Sequence, residues 1–227
     1  MASSGLLRPR ELFQAPRFAM WLLGSPPLGG NHKVSDLLLE DRHMLRQLDA
    51  AFRPAGRLLL PLAVAPSADQ LARLRLWVDD SADVDANGCW AKVLQQQLQY
   101  SPGGFVVVTV FKQPEGAGRT TPRQSSLPGS VGTRLLLSNP HVNVWDFSVP
   151  SGASCELHEH LHPYVFFNRT PCNTRALDEA LQPSESATSF AACEFRYVEI
   201  VEGERHVHAF QNPGKVDVQQ YVIEFVS

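Results

Sequence analysis

Leu157-His158-Glu159-His160-Leu161-His162 is the stretch on which the reading of this chain turns. Side chains alternate faces along an extended strand, so His158, His160 and His162 point the same way. Glu156 shares their face and Glu159 points to the other. At this histidine content, such a window arises by chance in about one chain per hundred, a rough template count. Imidazoles packed on one face repel one another when charged, and a metal relieves that by binding the neutral form. Neutral imidazole suits Zn, Fe, Cu and Ni.

Working outward, the segment Gly203-Glu204-Arg205-His206-Val207-His208-Ala209-Phe210-Gln211-Asn212 holds a second pair, His206 and His208, on one face if extended. Five of the eight histidines follow His141. Around both clusters the chain reads as short strands separated by turns. Val142, Val144, Phe147 and Val149 bracket one strand, and Pro150-Ser151-Gly152 is a turn. Further strands are expected over residues 155–162, 164–168, 195–201 and 216–225. Residues 170–192 are a polar excursion with a short helix expected near 175–181. Short strands without a long amphipathic helix indicate a sandwich or barrel.

These residues carry a resemblance. Gly152, followed by His158-x-His160, looks like the first cupin motif. His208-x3-Asn212 looks like the end of the second. Val144-Trp145-Asp146-Phe147, Pro150-x-Gly152 and the run to Tyr164-Val165 are similar to a group of small single-domain cupins. The resemblance spans residues 140–225. It implies a mainly β fold with a C-terminal cupin-type antiparallel barrel, jelly-roll-like. It also implies one divalent metal ion (Fe2+, Zn2+ or Mn2+) held by His158, His160 and His208. His208 is preferred to His206 because Asn212 follows it at the resembled spacing. The motif's glutamate is absent: Pro163, Tyr164 and Val165 occupy its neighbourhood. His162 or Glu156 then substitutes, or the site is three-histidine. The implied reactions are of dioxygenase, isomerase or lyase type on a small molecule, with His162 as auxiliary ligand or general base and Tyr164 as proton donor. The alternative is a metal-free barrel that serves as a binding or scaffolding module. Such barrels also pair as homodimers.

Residues 133–227 are thus the expected barrel, residues 113–132, rich in Pro, Gly, Ser and Thr, a loop or linker, and residues 31–112 an N-terminal α/β segment. In that segment Ser35 and Asp36 cap a helix expected to run to Phe52, with Leu37, Leu38, Leu45 and Leu48 at helical spacing. Ser67 opens a second helix carrying Leu71, Leu74 and Val78 on one face. Residues 91–100 read as a third helix. Residues 58–65, interrupted by Pro61, read as an edge strand at best. Residues 105–112, rich in valine, form a strand expected at the barrel's edge or on its outer face, since it cannot stay bare.

Residues 1–30 carry Arg8, Arg10 and Arg17 against one acid, Glu11, which suits a disordered tail or an organellar transit peptide (mitochondrion or plastid). The Ser25-Pro26-Pro27-Leu28-Gly29-Gly30 breakers place the start of order after them. The whole chain, 227 residues with net charge −3, has no clustered positive charge for nucleic acid. It has no apolar run long enough for a membrane helix. Cys89, Cys155, Cys172 and Cys193 show no Cys-x-x-Cys spacing and read as reduced structural thiols in an intracellular, soluble protein.

Overall fold

The computed structural model describes residues 10–14, 17–24, 54–62, 74–79, 97, 104–112, 125–127, 130–200 and 205–226. The chain divides into two compact units, Met1–Pro114 and Glu115–Ser227.

The first unit contains an antiparallel sheet of β1 (Arg10–Gln14), β2 (Phe18–Gly24), β3 (Pro54–Pro61), β4 (Trp77–Asp79) and β5 (Gly104–Phe111), in the order β1-β2-β5-β3-β4. The valine run forms the expected strand, β5, buried along its whole length. It does not extend the barrel: β2 and β3 occupy both its edges. Strand β3 is interior rather than an edge, because its prolines sit at its first and last positions, where no central ladder bond is lost. Order begins before the Ser25–Gly30 breakers, in β1 and β2, contrary to the expectation of a disordered start. The second expected helix does not reach Val78, and its start, residues 67–73, lies outside the described residues. Val78 lies in strand β4, where the β-branched residue pairs with Arg57 of β3. The helix over 36–52 lies outside the described residues. Of 91–100 only Gln97 is described, and it is helical.

The second unit is a two-sheet barrel. Strand β6 (Arg134–Ser138) is followed by β7 (Val142–Val149), β8 (His158–His160), β9 (Tyr164–Asn168), β10 (Cys172–Leu177), β11 (Thr188–Phe190), β12 (Phe195–Val198), β13 (His206–Gln211) and β14 (Val218–Phe225). One sheet runs β12-β9-β14-β7-β6 and the other β11-β10-β13-β8, with all pairs antiparallel. Strands β7 to β14 therefore form two interleaved Greek keys, an eight-strand jelly roll. Its core packs Phe147, Val149, Val218 and Val222 of one sheet with Cys172 and Phe190 of the other.

Three expectations here are refined. The helix near 175–181 is instead strand β10, which pairs with both β11 and β13. Strand β8 ends at His160, so the alternation stops before His162; Pro163 restricts the residue before it and offers no N–H to a ladder. The stretch 113–132 is not wholly loose: Val131, 2% exposed, joins the barrel core.

Candidate metal centre

Pairing of β8 with β13 sets the site. His208 lies opposite His158, and His206 opposite His160, so four imidazoles form a two-by-two block on one face. The pairing continues towards the strand ends, where the turn closes it. Gly152, at φ 77°, a conformation that favours glycine, donates its N–H to the Asn212 carbonyl at 2.9 Å. The Asn212 amide donates to the carbonyls of Val149 and Val216 at 2.9 Å each. The two sequence motifs thus meet through backbone bonds, and this fixes the register that brings the histidines together.

His158, His160 and His208 each offer a ring nitrogen, and these nitrogens all lie within 4.8 Å of one another. His158 and His160 are buried, and His208 is partly so. His158 Nδ1 donates to the Glu156 carbonyl at 2.9 Å. A carbonyl only accepts, so Nδ1 carries the proton and the neutral ring presents the Nε2 lone pair. The Nε2 atoms of His160 and His208 lie 3.1 Å apart. Two nitrogens bound to one ion at about 2.0–2.1 Å, at angles between square and tetrahedral, are roughly 2.9–3.4 Å apart. This pair has the spacing of two ligands on one ion, and the trio is a group that could hold a metal.

Electrostatics favours the neutral ligand form. Burial first, then the neighbouring imidazoles, hold His208 down at about 2 and push His160 well below the ordinary histidine range. Burial also lowers His158 and His206. Neutral rings keep lone pairs for a metal at neutral pH.

Tyr164 stacks on His160 at 3.7 Å between ring centres, with the rings 9° from parallel. Its hydroxyl lies 3.2 Å from His206 Nε2. Burial, reinforced by the Glu224 charge, pushes the phenol up, so it stays protonated. His206 thus sits beside the trio and meets Tyr164. His162 is half-buried on the segment after β8 and lies outside the trio. Glu156 is exposed and contributes its carbonyl rather than its carboxylate. Glu159, on the opposite face, is buried and accepts from Ser125 Oγ at 2.6 Å and Arg205 Nε at 3.2 Å.

Glu224 is the residue that motif reading misses. It is 4% exposed on β14, with one carboxylate oxygen 3.5 Å from His160 Nδ1. Burial pushes its carboxyl up, while a 3.1 Å hydrogen bond from Trp145 Nε1 draws it back. The available signal was an acid inside the otherwise apolar end of a strand, Tyr221-Val222-Ile223-Glu224-Phe225.

Above the imidazoles lies a cavity of about 210 Å³, lined by His158, His160, His208 and Tyr164 together with phenylalanines from both sheets.

No protein-family model matches the chain, and no curated protein does. Among solved structures it is similar to a cupin domain from Bordetella pertussis Tohama I, at 18% identity over 46% of this chain and 100% of that one, TM-score 0.36. It is also similar to an RmlC-like cupin family protein from Methanocaldococcus jannaschii, at 13% identity over 45% and 90%, TM-score 0.31. A cupin superfamily protein from Desulfitobacterium hafniense matches at 12% identity over 48% and 100%, TM-score 0.30. Among the described residues no helix is long and apolar enough to cross a membrane.

Proposed function

We propose that the C-terminal barrel binds one divalent metal ion through His158, His160 and His208 and acts on a small organic molecule held in the adjoining cavity. The observation that supports this reading is the convergence of three ring nitrogens within 4.8 Å, with neutral rings, on the wall of that cavity. When bound, such an ion supplies a Lewis acid for isomerase or lyase chemistry or, as ferrous iron, the redox centre of a dioxygenase.

The chain's own residues would do the rest. His158 is held in its tautomer by the Glu156 carbonyl. His160 is held between the Tyr164 ring and Glu224. Tyr164 lines the cavity and keeps its proton at Oη, which makes it the proton donor of the proposed site. His162 does not line the cavity, so a role as base would require a relay through another group.

One observation favours the metal-free alternative. The 3.1 Å contact between His160 and His208 satisfies two buried nitrogens without an ion, as a binding barrel would need. Elemental analysis of the purified full chain separates the two readings. About one equivalent of metal, absent from the double variant His158→Ala, His160→Ala, is the expected result. No metal after purification in the presence of Fe2+, Zn2+ and Mn2+ would overturn the metal reading in favour of the binding barrel.

A further inference from the structure

The cavity has a polarity of its own. Its aromatic walls are Phe147, Phe166, Phe190 and Phe210, with Phe190 set edge-on to Phe166 at 5.6 Å and 87°. Among the described residues, Arg196 is the only lysine or arginine that lines it. Among the described residues no carboxylate lines the cavity. Arg196 lies opposite Phe166 in the β12–β9 register, and its guanidinium carbon stands 4.8 Å from the centre of the Phe190 ring. The side chain is exposed yet lines the cavity, so it stands where the cavity meets solvent. Among the described residues no carboxylate forms an ion pair with it.

A guanidinium stacked on an aromatic ring keeps its N–H edge available, and that planar fork matches a carboxylate with two parallel hydrogen bonds. Flat aromatic walls favour a flat apolar body between them. Size sets the scale: a cavity of about 150 Å³ holds benzene, and this one, at about 210 Å³, leaves room for a ring and a short acidic arm. We infer that the cavity takes a small aromatic carboxylic acid, its ring between the phenylalanines and its carboxylate on Arg196. This leaves the end of the molecule remote from the carboxylate towards the three imidazoles. The inference rests on the reading of this cavity as the substrate site, but it uses residues outside the histidine trio.

The test uses the full chain and two probes, 4-fluorophenylacetate and its neutral amide, 4-fluorophenylacetamide, followed by fluorine NMR titration with metal content measured on the same samples. The acid should bind at least ten-fold more tightly than the amide. Arg196→Gln should weaken the acid at least ten-fold and leave the amide unchanged, which also shows that the cavity remains folded. Equal binding of the two probes, absence of acid binding at millimolar concentration, or unchanged acid binding by Arg196→Gln would overturn the inference. Loss of acid binding only in His158→Ala, His160→Ala would also overturn it, since the carboxylate would then sit on the metal. Acid binding through Arg196 in a chain that takes up no metal supports the inference and sinks the metal reading. Metal uptake without acid binding sinks the inference alone.

Discussion

Nδ1 of His160 lies 3.5 Å from the carboxylate of Glu224, and both side chains are almost wholly buried, at 2% and 5% exposure. The nitrogen has no hydrogen-bond partner among the described residues. A carboxylate behind a ligating imidazole fixes the ring's tautomer and raises its basicity. In the proposed centre Glu224 would stand behind the His160 ring. Its loss should weaken metal binding without abolishing it. Glu224→Gln is expected to reduce metal affinity roughly 10–100-fold, the usual range for such partners. A competition titration with a chromophoric chelator reads this directly. Unchanged affinity would show that Glu224 serves packing alone.

The pairing of β8 with β13 sets His208 opposite His158 and His206 opposite His160, and only His208 joins the converging trio. The two should therefore separate on substitution. His208→Ala should lose stoichiometric metal, since two ligands remain. His206→Ala should keep about one equivalent, because its ring meets Tyr164 instead. Elemental analysis of both variants decides it, and the reverse pattern would move the centre one pleat along β13.

Much of this was legible in the sequence, for a definite reason. The period of two puts His158 and His160 on one face wherever the segment is extended, so the pair followed from spacing alone. Strand β7 and the final strand were legible from their valine-rich runs. Glu224 was not, because an acid next to Phe225 reads as solvent-facing until the register opposite Tyr164 turns it inward. Strands β10 and β11 were missed because their residues are polar and their pairing partners are distant: Arg175 pairs with Gln211, across the intervening chain. Proline at β3 signalled an edge, but a proline at a strand's last position removes nothing from the ladder.

Acid should destabilise the metal-free barrel through these same histidines. In the folded chain His208 is held at about 2, and His158 and His160 are held below the ordinary value, by burial first. In the unfolded chain each returns to about 6.5. Between those limits the unfolded state binds more protons, so stability rises with pH and falls as pH drops below about 6.5, by up to about 1.4 kcal/mol per pH unit for each such histidine. Metal-free protein should show a urea midpoint that drops steadily from pH 7 to pH 5, with a shallower slope in His208→Asn. A midpoint constant over that interval would mean that the rings are solvated and titrate normally.

The barrel's own stability should depend on one buried ion pair more than on its exposed neighbour. Asp146 accepts from two arginines, one through each oxygen. Arg169, with a side chain only 1% exposed, donates at 2.7 Å and also stands 4.6 Å over the Tyr221 ring. Arg134, 44% exposed, donates at 3.0 Å. The two distances are similar, but the surroundings are not. An exposed pair is worth about 0–1 kcal/mol, because water and salt screen it. Breaking a buried pair from one side leaves an uncompensated charge and costs about 3–5 kcal/mol. Arg169 cannot shed its proton to escape that cost, and its Nε and Nη1 already lack partners. Asp146→Asn should therefore lower the stability of the C-terminal unit by several kcal/mol, whereas Arg134→Ala should change it by about 1 kcal/mol or less. Urea unfolding of the full chain, followed by the fluorescence of Trp145 against a Trp21, Trp77, Trp90 triple phenylalanine background, reports on that unit specifically. Equal effects of the two substitutions would show that water reaches Arg169 and that the pair is screened like a surface one.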